Sequence, residues 1–363
     1  MNRRHGRDTA GRIVVVGGYG AVGRVTAETL GQWFPDRVVV AGRDLRRARE
    51  LTARAPTALR AEAVDVGVPD QVHRMLRGTG LVVMCVERGN ETLARECLRR
   101  GIHYLDVSAS RALLEGIGRL DPLATASGAT AALSVGLAPG LTNVLARLCV
   151  DRLPDARRVE IAILLGAAGD HGPDSVRWTV AQLGQPVRPP YGFPVRTRTP
   201  LPGFGDRSTY WFPFSDQYTL AGTLGVPVAT RICFDSPALT GLVFALRSAG
   251  LFALLGRLGA EPILNAALSR LHTGTDRFAL HVTAADADGR RVCCAATGRQ
   301  ECRATGIVAA HVARRIFLGQ TTPGVRHLNQ LVDPSAFLAE LPTRQLTLHL
   351  DGESPTARPR GGR

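Results

Sequence analysis

The strongest chemical signal lies at the end of the first apolar run. Arg12-Ile-Val-Val-Val is followed directly by Gly17-Gly-Tyr-Gly-Ala-Val-Gly-Arg24, so that Gly18, Gly20 and Gly23 have G-x-G-x-x-G spacing. At a strand-to-helix junction each glycine has its own job. Gly18 permits the tight turn, Gly20 lets a pyrophosphate approach the backbone, and Gly23 lets helix and strand pack closely. Tyr19 lies within the loop, and the helix opening at Ala21 and Val22 offers free N–H groups and a partial positive charge to the phosphates. The next apolar run ends in Val40-Ala41-Gly42-Arg43-Asp44, about 20 residues beyond Gly23, where the ribose-reading side chain of a dinucleotide site belongs. Arg43, with Arg46 and Arg47 close behind, suits a 2′-phosphate and points to NADP. NAD is the alternative if Asp44 contacts the ribose rather than capping a helix. Asp65 is a further candidate beside the adenine or a turn cap, and Cys85, Val86 and Ser108 are expected against the cofactor at the ends of two later strands.

A second group of residues could handle a substrate. Asp170-His171 precedes a helix that starts near Asp174. His171 is the candidate proton donor, because a histidine titrates near neutral pH and the adjacent Asp170 could hold it protonated. Arg177 could bind a carboxylate, with Trp178 walling a pocket. Tyr210, Asp216, Gln217 and Tyr218 could line a cleft, although an aromatic on a helix is more often core. Glu87 and Arg88 read equally as substrate-orienting groups or an exposed ion pair. His103 is assigned no catalytic proton, because strand alternation sends it away from Tyr104 and Asp106. Ser108 and Asp106 share a face and could hold a ribose or the start of the next helix. No metal site is expected, since no two of the scattered histidines are spaced i, i+4.

All 45 basic residues are arginine, which excludes Schiff-base chemistry, a lysine general base and the Gly-Lys-Ser/Thr phosphate loop. The net charge of +14 could suggest nucleic acid, but the arginines are dispersed, aromatics make up 5% of the chain, and no nucleic-acid module is present. The seven cysteines have no metal-type spacing and read as reduced, mostly buried thiols of a cytoplasmic protein. No signal segment or membrane span is expected. The greasy stretch 240–271 is interrupted by Arg247, Arg257 and Glu261 and reads as amphipathic helices.

These residues require particular elements. Apolar runs at Arg12–Val16, Arg37–Ala41, Ala63–Val66, Leu81–Val86, Ile102–Val107 and Thr130–Ser134 alternate with helical patterns, which implies an α/β fold with a doubly wound parallel Rossmann sheet. Asn90 is expected to cap the helix that Gly101 ends. Beyond the corner Gly136-Leu-Ala-Pro-Gly140 the rhythm changes to a second, mixed α/β substrate domain. It has strands at Arg158–Leu165 and Val228–Phe234, a helix near Ser175–Leu183, a loop from Gly184 to Asp206, and a hairpin over Phe278–Thr297 with Asp288-Gly289 at its tip. The expected division is 1–138 for dinucleotide binding, 139–302 for substrate and dimerisation, 303–350 returning to the first domain, and 351–363 a disordered tail.

The order of these motifs resembles the saccharopine dehydrogenase-like oxidoreductases, especially the saccharopine reductase branch. The resemblance rests on Gly-Gly-Tyr-Gly-Ala-Val-Gly (17–23), Ala-Gly-Arg-Asp (41–44), Gly-Ile-His-Tyr-Leu-Asp-Val-Ser (101–108), Gly-Leu-Ala-Pro-Gly-Leu-Thr-Asn (136–143), Arg-Ala-Thr-Gly-Ile-Val-Ala-Ala (303–310) and Gly-Val-Arg-His-Leu (324–328). It implies an NADP-binding Rossmann domain, an inserted substrate domain, and a helix near 304–317 that returns to the first. The implied chemistry is hydride exchange at a carbon–nitrogen bond, usually an imine formed from an amino acid. The chain departs from the reductase pattern at Ala138 and Asn143, where those proteins carry Asp and His, and it cannot supply the catalytic lysine of the lysine-forming dehydrogenases. The expectation is a homodimeric, NADP-dependent oxidoreductase acting on a small amino-acid-like molecule. The alternatives are carbon–carbon double-bond reduction of an apolar substrate, or a non-catalytic NADP-binding sensor or scaffold.

Overall fold

A computed structural model describes residues 11–168, 173–258 and 274–350. In chain order its strands are β1 (Arg12–Val16), β2 (Val38–Gly42), β3 (Arg60–Ala63), β4 (Thr79–Met84), β5 (His103–Asp106), β6 (Thr130–Leu133), β7 (Arg158–Leu165), β8 (Arg196–Leu201), β9 (Gly205–Trp211), β10 (Val228–Phe234), β11 (Arg277–Ala285), β12 (Arg291–Arg299), β13 (Gly324–His327) and β14 (Leu346–His349). They form two seven-stranded sheets, and the chain separates into two compact units, 1–140 with 302–333, and 141–301 with 334–363.

The first unit is a doubly wound parallel sheet of order β13-β6-β5-β4-β1-β2-β3. Its centre follows from composition. Ile13, Val14 and Val15 are fully buried, as are Val38, Val40 and Leu81 to Met84, and β-branched residues covered on both faces are what a parallel strand demands. Burial of each such side chain contributes about 1.5–3 kcal/mol. Strand order reverses between β4 and β2, the two neighbours of β1, which opens a crevice at the carboxyl ends of these strands.

Two details depart from the sequence reading. The third strand is Arg60–Ala63 rather than Ala63–Val66. It lies at the sheet edge, pairs only with β2 through Val39↔Arg60 to Gly42↔Ala63, and can therefore be polar, with Glu62 ion-paired to Arg12 at 2.7 Å. A further strand, β13, extends the sheet beside β6. Asp121 Oδ1 anchors it, accepting from Val325 N–H (2.8 Å) and Arg326 Nη1 (2.6 Å). The helix Glu301–Phe317 packs within the same unit: a Cβ on Gly306 would lie 2.7 Å from Val25 Cβ and 2.8 Å from Val22 O.

The second unit holds a mixed sheet, β14-β12-β11-β7-β10-β9-β8. Among the described strands of this second sheet, only the β7–β10 pair is parallel. The hairpin β11–β12 turns through Gly289 at φ +86°. The segment read as a loop from Gly184 to Asp206 contains β8, which pairs with β9 from Arg196↔Tyr210 to Leu201↔Gly205. Its Arg-Thr-Arg-Thr-Pro-Leu sequence hides it, because an edge strand tolerates polar residues and a proline. The segment expected to return whole to the first unit divides: the helix and β13 do return, but β14 pairs with β12 in the second sheet. Within the greasy stretch, helices span Pro237–Ser248 and Leu251–Arg257, and residues 259–271, like 351–363, lie outside the described residues. No described helix is long and apolar enough to cross a membrane.

Candidate functional site

The glycine loop is fixed at both ends by backbone bonds. Gly17 N–H and Gly18 N–H both donate to Ala41 O at the end of β2 (2.8 and 3.2 Å), and Gly20 N–H closes a turn on Gly17 O at 2.9 Å. The left-handed residue is Gly17, at φ +76°, whereas Gly18 is glycine because a Cβ would sit 2.7 Å from Val15 O. The tight turn therefore belongs to Gly17, which the motif spacing did not single out. At Gly23 a Cβ would lie 2.3 Å from Gly17 O, so helix Ala21–Trp33 can approach the strand only without a side chain there. Gly20 is exposed, and its Cβ direction meets only Gly17 O, at 3.2 Å. That space, together with a helix N-terminus whose first turn (Ala21, Val22, Gly23) carries no acidic residue, fits the phosphates of a dinucleotide.

The crossover on the other side of the crevice meets this loop. Cys85 N–H donates to Val16 O at 3.0 Å, and a Cβ on Gly17 would lie 2.6 Å from Val86 Cγ1. Burial pushes the Cys85 thiol up to about 12, so it is a neutral wall and not a nucleophile.

Beyond β2, Tyr19 lies across the strand end, its ring filling the space over Gly42 and its hydroxyl accepting from Asp44 N–H at 3.2 Å. Asp44 is the N-cap of helix Leu45–Arg54, accepting from Arg47 N–H at 3.1 Å. Its carboxylate is thus occupied locally. Arg47 stacks its guanidinium 4.8 Å over the Tyr19 ring, Arg46 pairs with Glu50 at 3.5 Å, and Arg43 is exposed with no ion pair among the described residues. Asp65 closes its own turn, accepting from Gly67 N–H at 2.9 Å, and lies 4.0 Å from Arg88.

The ends of β4 and β5 are held by a buried polar knot. Asp106 accepts from Tyr104 Oη (2.7 Å), Asn90 Nδ2 (2.9 Å) and Ser108 N–H (2.8 Å). Asn90 also donates to Val86 O at 2.9 Å and accepts from Arg88 N–H at 2.6 Å. Burial raises the Asp106 carboxyl above its ordinary value, against the effect of these donors. Asn90 is therefore a bridge between crossovers and not the expected helix cap, which is Gly89. Ser108 is 5% exposed and completes the knot. His103 is structural, its Nδ1 accepting from Thr130 N–H at 3.0 Å.

In the second unit, the segment thought to line a cleft is largely packing. Trp178 contacts Phe212 and Phe214 at 5.6 and 5.4 Å, Tyr210 stacks on Phe244 at 4.2 Å, and Gln217 accepts from Trp211 Nε1 at 2.9 Å. Arg177 is exposed and Tyr218 half-buried. Asp216 is fully buried; Oδ1 accepts from Thr142 Oγ1, Oδ2 has no partner among the described residues, and burial raises its pKa to about 6. His171 and Asp170 lie outside the described residues.

Arginine in the middle of β10 was not singled out. Arg231 is 1% exposed and pairs through Nε with Glu160 on β7 at 3.1 Å, while both terminal nitrogens are buried without partners among the described residues. A charged residue within Val-Ala-Thr-Arg-Ile-Cys-Phe was the visible signal, since a buried cation needs a partner.

Three comparisons bear on this geometry. Residues 13–132 match the family model of the saccharopine dehydrogenase NADP binding domain. The fold is similar to that of apo saccharopine dehydrogenase (L-Glu forming) from Saccharomyces cerevisiae, at 15% identity and a TM-score of 0.62, covering 93% of this chain and 100% of that one. A meso-diaminopimelate dehydrogenase mutant from Clostridium tetani aligns at 13% identity and a TM-score of 0.48, over 92% of this chain and 97% of that one.

Proposed function

We propose that this chain is an NAD(P)-dependent oxidoreductase of the saccharopine dehydrogenase-like kind, in keeping with the match over residues 13–132, that transfers hydride to or from the carbon–nitrogen bond of an amino-acid-like substrate and uses NADP. The observation that carries the substrate class is Arg231. Its Nε pairs with Glu160, but its two terminal nitrogens have no partner among the described residues; they are donors in the fork geometry that a carboxylate satisfies, and buried donors left unsatisfied are costly. Arg247 is a second such group. It is 8% exposed, with Nη1 bonded to Trp211 O at 2.9 Å and two further nitrogens without a partner among the described residues. Burial brings its pKa down to about 10, which leaves it charged at neutral pH.

The choice of NADP is supported by exposed Arg43 and by Arg47 stacked on Tyr19, together with an Asp44 carboxylate already used as a helix cap. Gly18, Gly20 and the first turn from Ala21 to Gly23 would hold the pyrophosphate, and Val86 and Cys85 would wall the crevice. When bound, the nicotinamide supplies the hydride donor or acceptor. The protein's part is to position the acceptor carbon and to manage the proton on nitrogen. The candidate for that proton is His171, with Asp170 beside it in the sequence.

The test is a screen of amino acids paired with keto acids, followed by NADPH absorbance, on wild type, Arg231→Gln and His171→Ala. The reading expects oxidation with at least one pair. It also expects Arg231→Gln to raise KM by about 10–100-fold, in line with roughly 1.5–3 kcal/mol for a hydrogen bond to a charged group. Turnover by an enone but by no imine-forming pair would favour the double-bond reductase instead. Unchanged kcat in His171→Ala at saturating substrate would remove the proton-donor role.

A further inference from the structure

Helix Thr142–Arg152 packs on the β11–β12 hairpin and brings two sulfurs together there. Cys149 Sγ donates to Val282 O at 3.6 Å. Val282 faces Cys294 directly across the hairpin, which places the two on the same side of the sheet, so the Cys149 thiol, seated on Val282 O, adjoins the Cys294 side chain and the two interact electrostatically. One turn further along, Arg152 sets Nη1 3.9 Å from Cys294 Sγ and 3.2 Å from Leu350 O. Both cysteines are free thiols and fully buried.

We propose that Cys149 and Cys294 form a redox-modifiable dithiol, converted by a peroxide into a disulfide that ties helix Thr142–Arg152 to β12. The two sulfurs are not equivalent. Arg152 Nη1 lies 3.9 Å from Cys294 Sγ and favours the thiolate there, so Cys294 is the nucleophile. Its thiolate attacks one peroxide oxygen, the O–O bond breaks, and the departing oxygen takes up a proton as water, leaving a sulfenic acid on Cys294. The Cys149 sulfur then displaces the sulfenic hydroxyl, forming the S–S bond, and its proton leaves with that hydroxyl as a second water. Peroxide is reduced and the two thiols are oxidised, with no other reactant. Local opening of β14, a four-residue strand at the sheet edge beside β12, would admit the peroxide. Exposed Arg152 holds its end at Leu350, and short edge strands open readily.

Exposure alone favours other targets. Cys293, on the opposite face beside Thr283 Oγ1 (3.5 Å), and Cys302 are both more accessible. That contrast makes the proposal testable on the unmodified full chain. The protein is titrated with hydrogen peroxide, quenched, denatured, alkylated and digested with trypsin, which cuts only after arginine here. The expected product is peptide 148–152 joined to 292–299 and lighter by two hydrogens, with fragmentation assigning the link to Cys294. It should form while Cys97 and Cys233 still alkylate, and a dithiol reductant should reverse it. Cys293→Ser should leave the yield unchanged, and Arg152→Ala should slow formation by about tenfold through loss of the stabilising cation. Oxidation confined to Cys293 or Cys302, with Cys149 and Cys294 both alkylated, overturns the proposal, as does a link that maps to Cys293.

Discussion

Replacing Arg43 tests the cofactor assignment most sharply. Its guanidinium is exposed at the end of β2 and makes no ion pair among the described residues, so its removal breaks no ion pair there and a loss of NADPH affinity reads the ligand contact. Hydrogen bonds to charged groups contribute about 1.5–3 kcal/mol, and solvent screening at an exposed arginine reduces this to roughly 1–2 kcal/mol. Arg43→Ala should therefore weaken NADPH by about 5–30-fold while NADH changes by less than about twofold. Arg47 lies 4.8 Å over Tyr19, so Arg47→Ala should cost NADPH a few-fold more than Arg46→Ala, whose guanidinium is engaged by Glu50. Raising the salt should narrow the NADPH preference, because the pair is solvent-exposed. Fluorescence titration of both reduced cofactors, at low and high salt, reads all of this. Equal or tighter binding of NADH to the wild type, or an equal loss for both cofactors in Arg43→Ala, refutes the 2′-phosphate argument.

Other substitutions separate folding from binding. Gly20→Ala should lower the melting temperature far less than Gly23→Ala, since its Cβ meets Gly17 O at 3.2 Å and a small shift relieves it, yet weaken cofactor binding at least about tenfold by blocking the backbone approach. Gly23→Ala should instead destabilise the protein by about 1–3 kcal/mol or more in chemical unfolding, because its Cβ would meet backbone atoms at 2.3 and 2.8 Å that cannot swing away. Tyr104→Phe, which removes a donor from buried Asp106, should cost roughly 1–3 kcal/mol. Asp216 has a folded pKa raised to about 6, above its unfolded value. The stability it contributes is therefore complete below about pH 4 and is lost as pH rises through about 6, and Asp216→Asn should flatten that part of the stability curve. His327, brought down to about 4 by burial, has the opposite sign. Its contribution is present above about pH 6.5 and is lost as pH falls through about 4, so His327→Asn should reduce the acid-side fall in stability.

The cofactor half of the molecule was legible because its determinants are local. A glycine triplet directly after a buried β-branched run constrains the backbone within a few residues, whatever the rest of the chain does. The six β/α alternations likewise follow from apolar runs that must be covered on both faces. Edges were not legible: β3 and β8 carry polar residues because only one neighbour pairs with them, and β13 and β14 are four-residue strands specified by partners far away in sequence, Thr130–Leu133 and Ala295–Gly298. The same distance in sequence hid the polar partnerships. The sequence alone showed Asp44, Asp65 and Asp106 as side chains able to bind a ligand and Asn90 as a helix cap. Tertiary structure decided that the first two cap turns and helices and that the last two bind one another, since a buried carboxylate takes the nearest donors available. It also decided that Arg231, one charge in an apolar strand, has a single carboxylate partner for its guanidinium, and that Cys149 and Cys294 meet. Spacing along the chain determines which residues share a face, but only packing determines what that face touches.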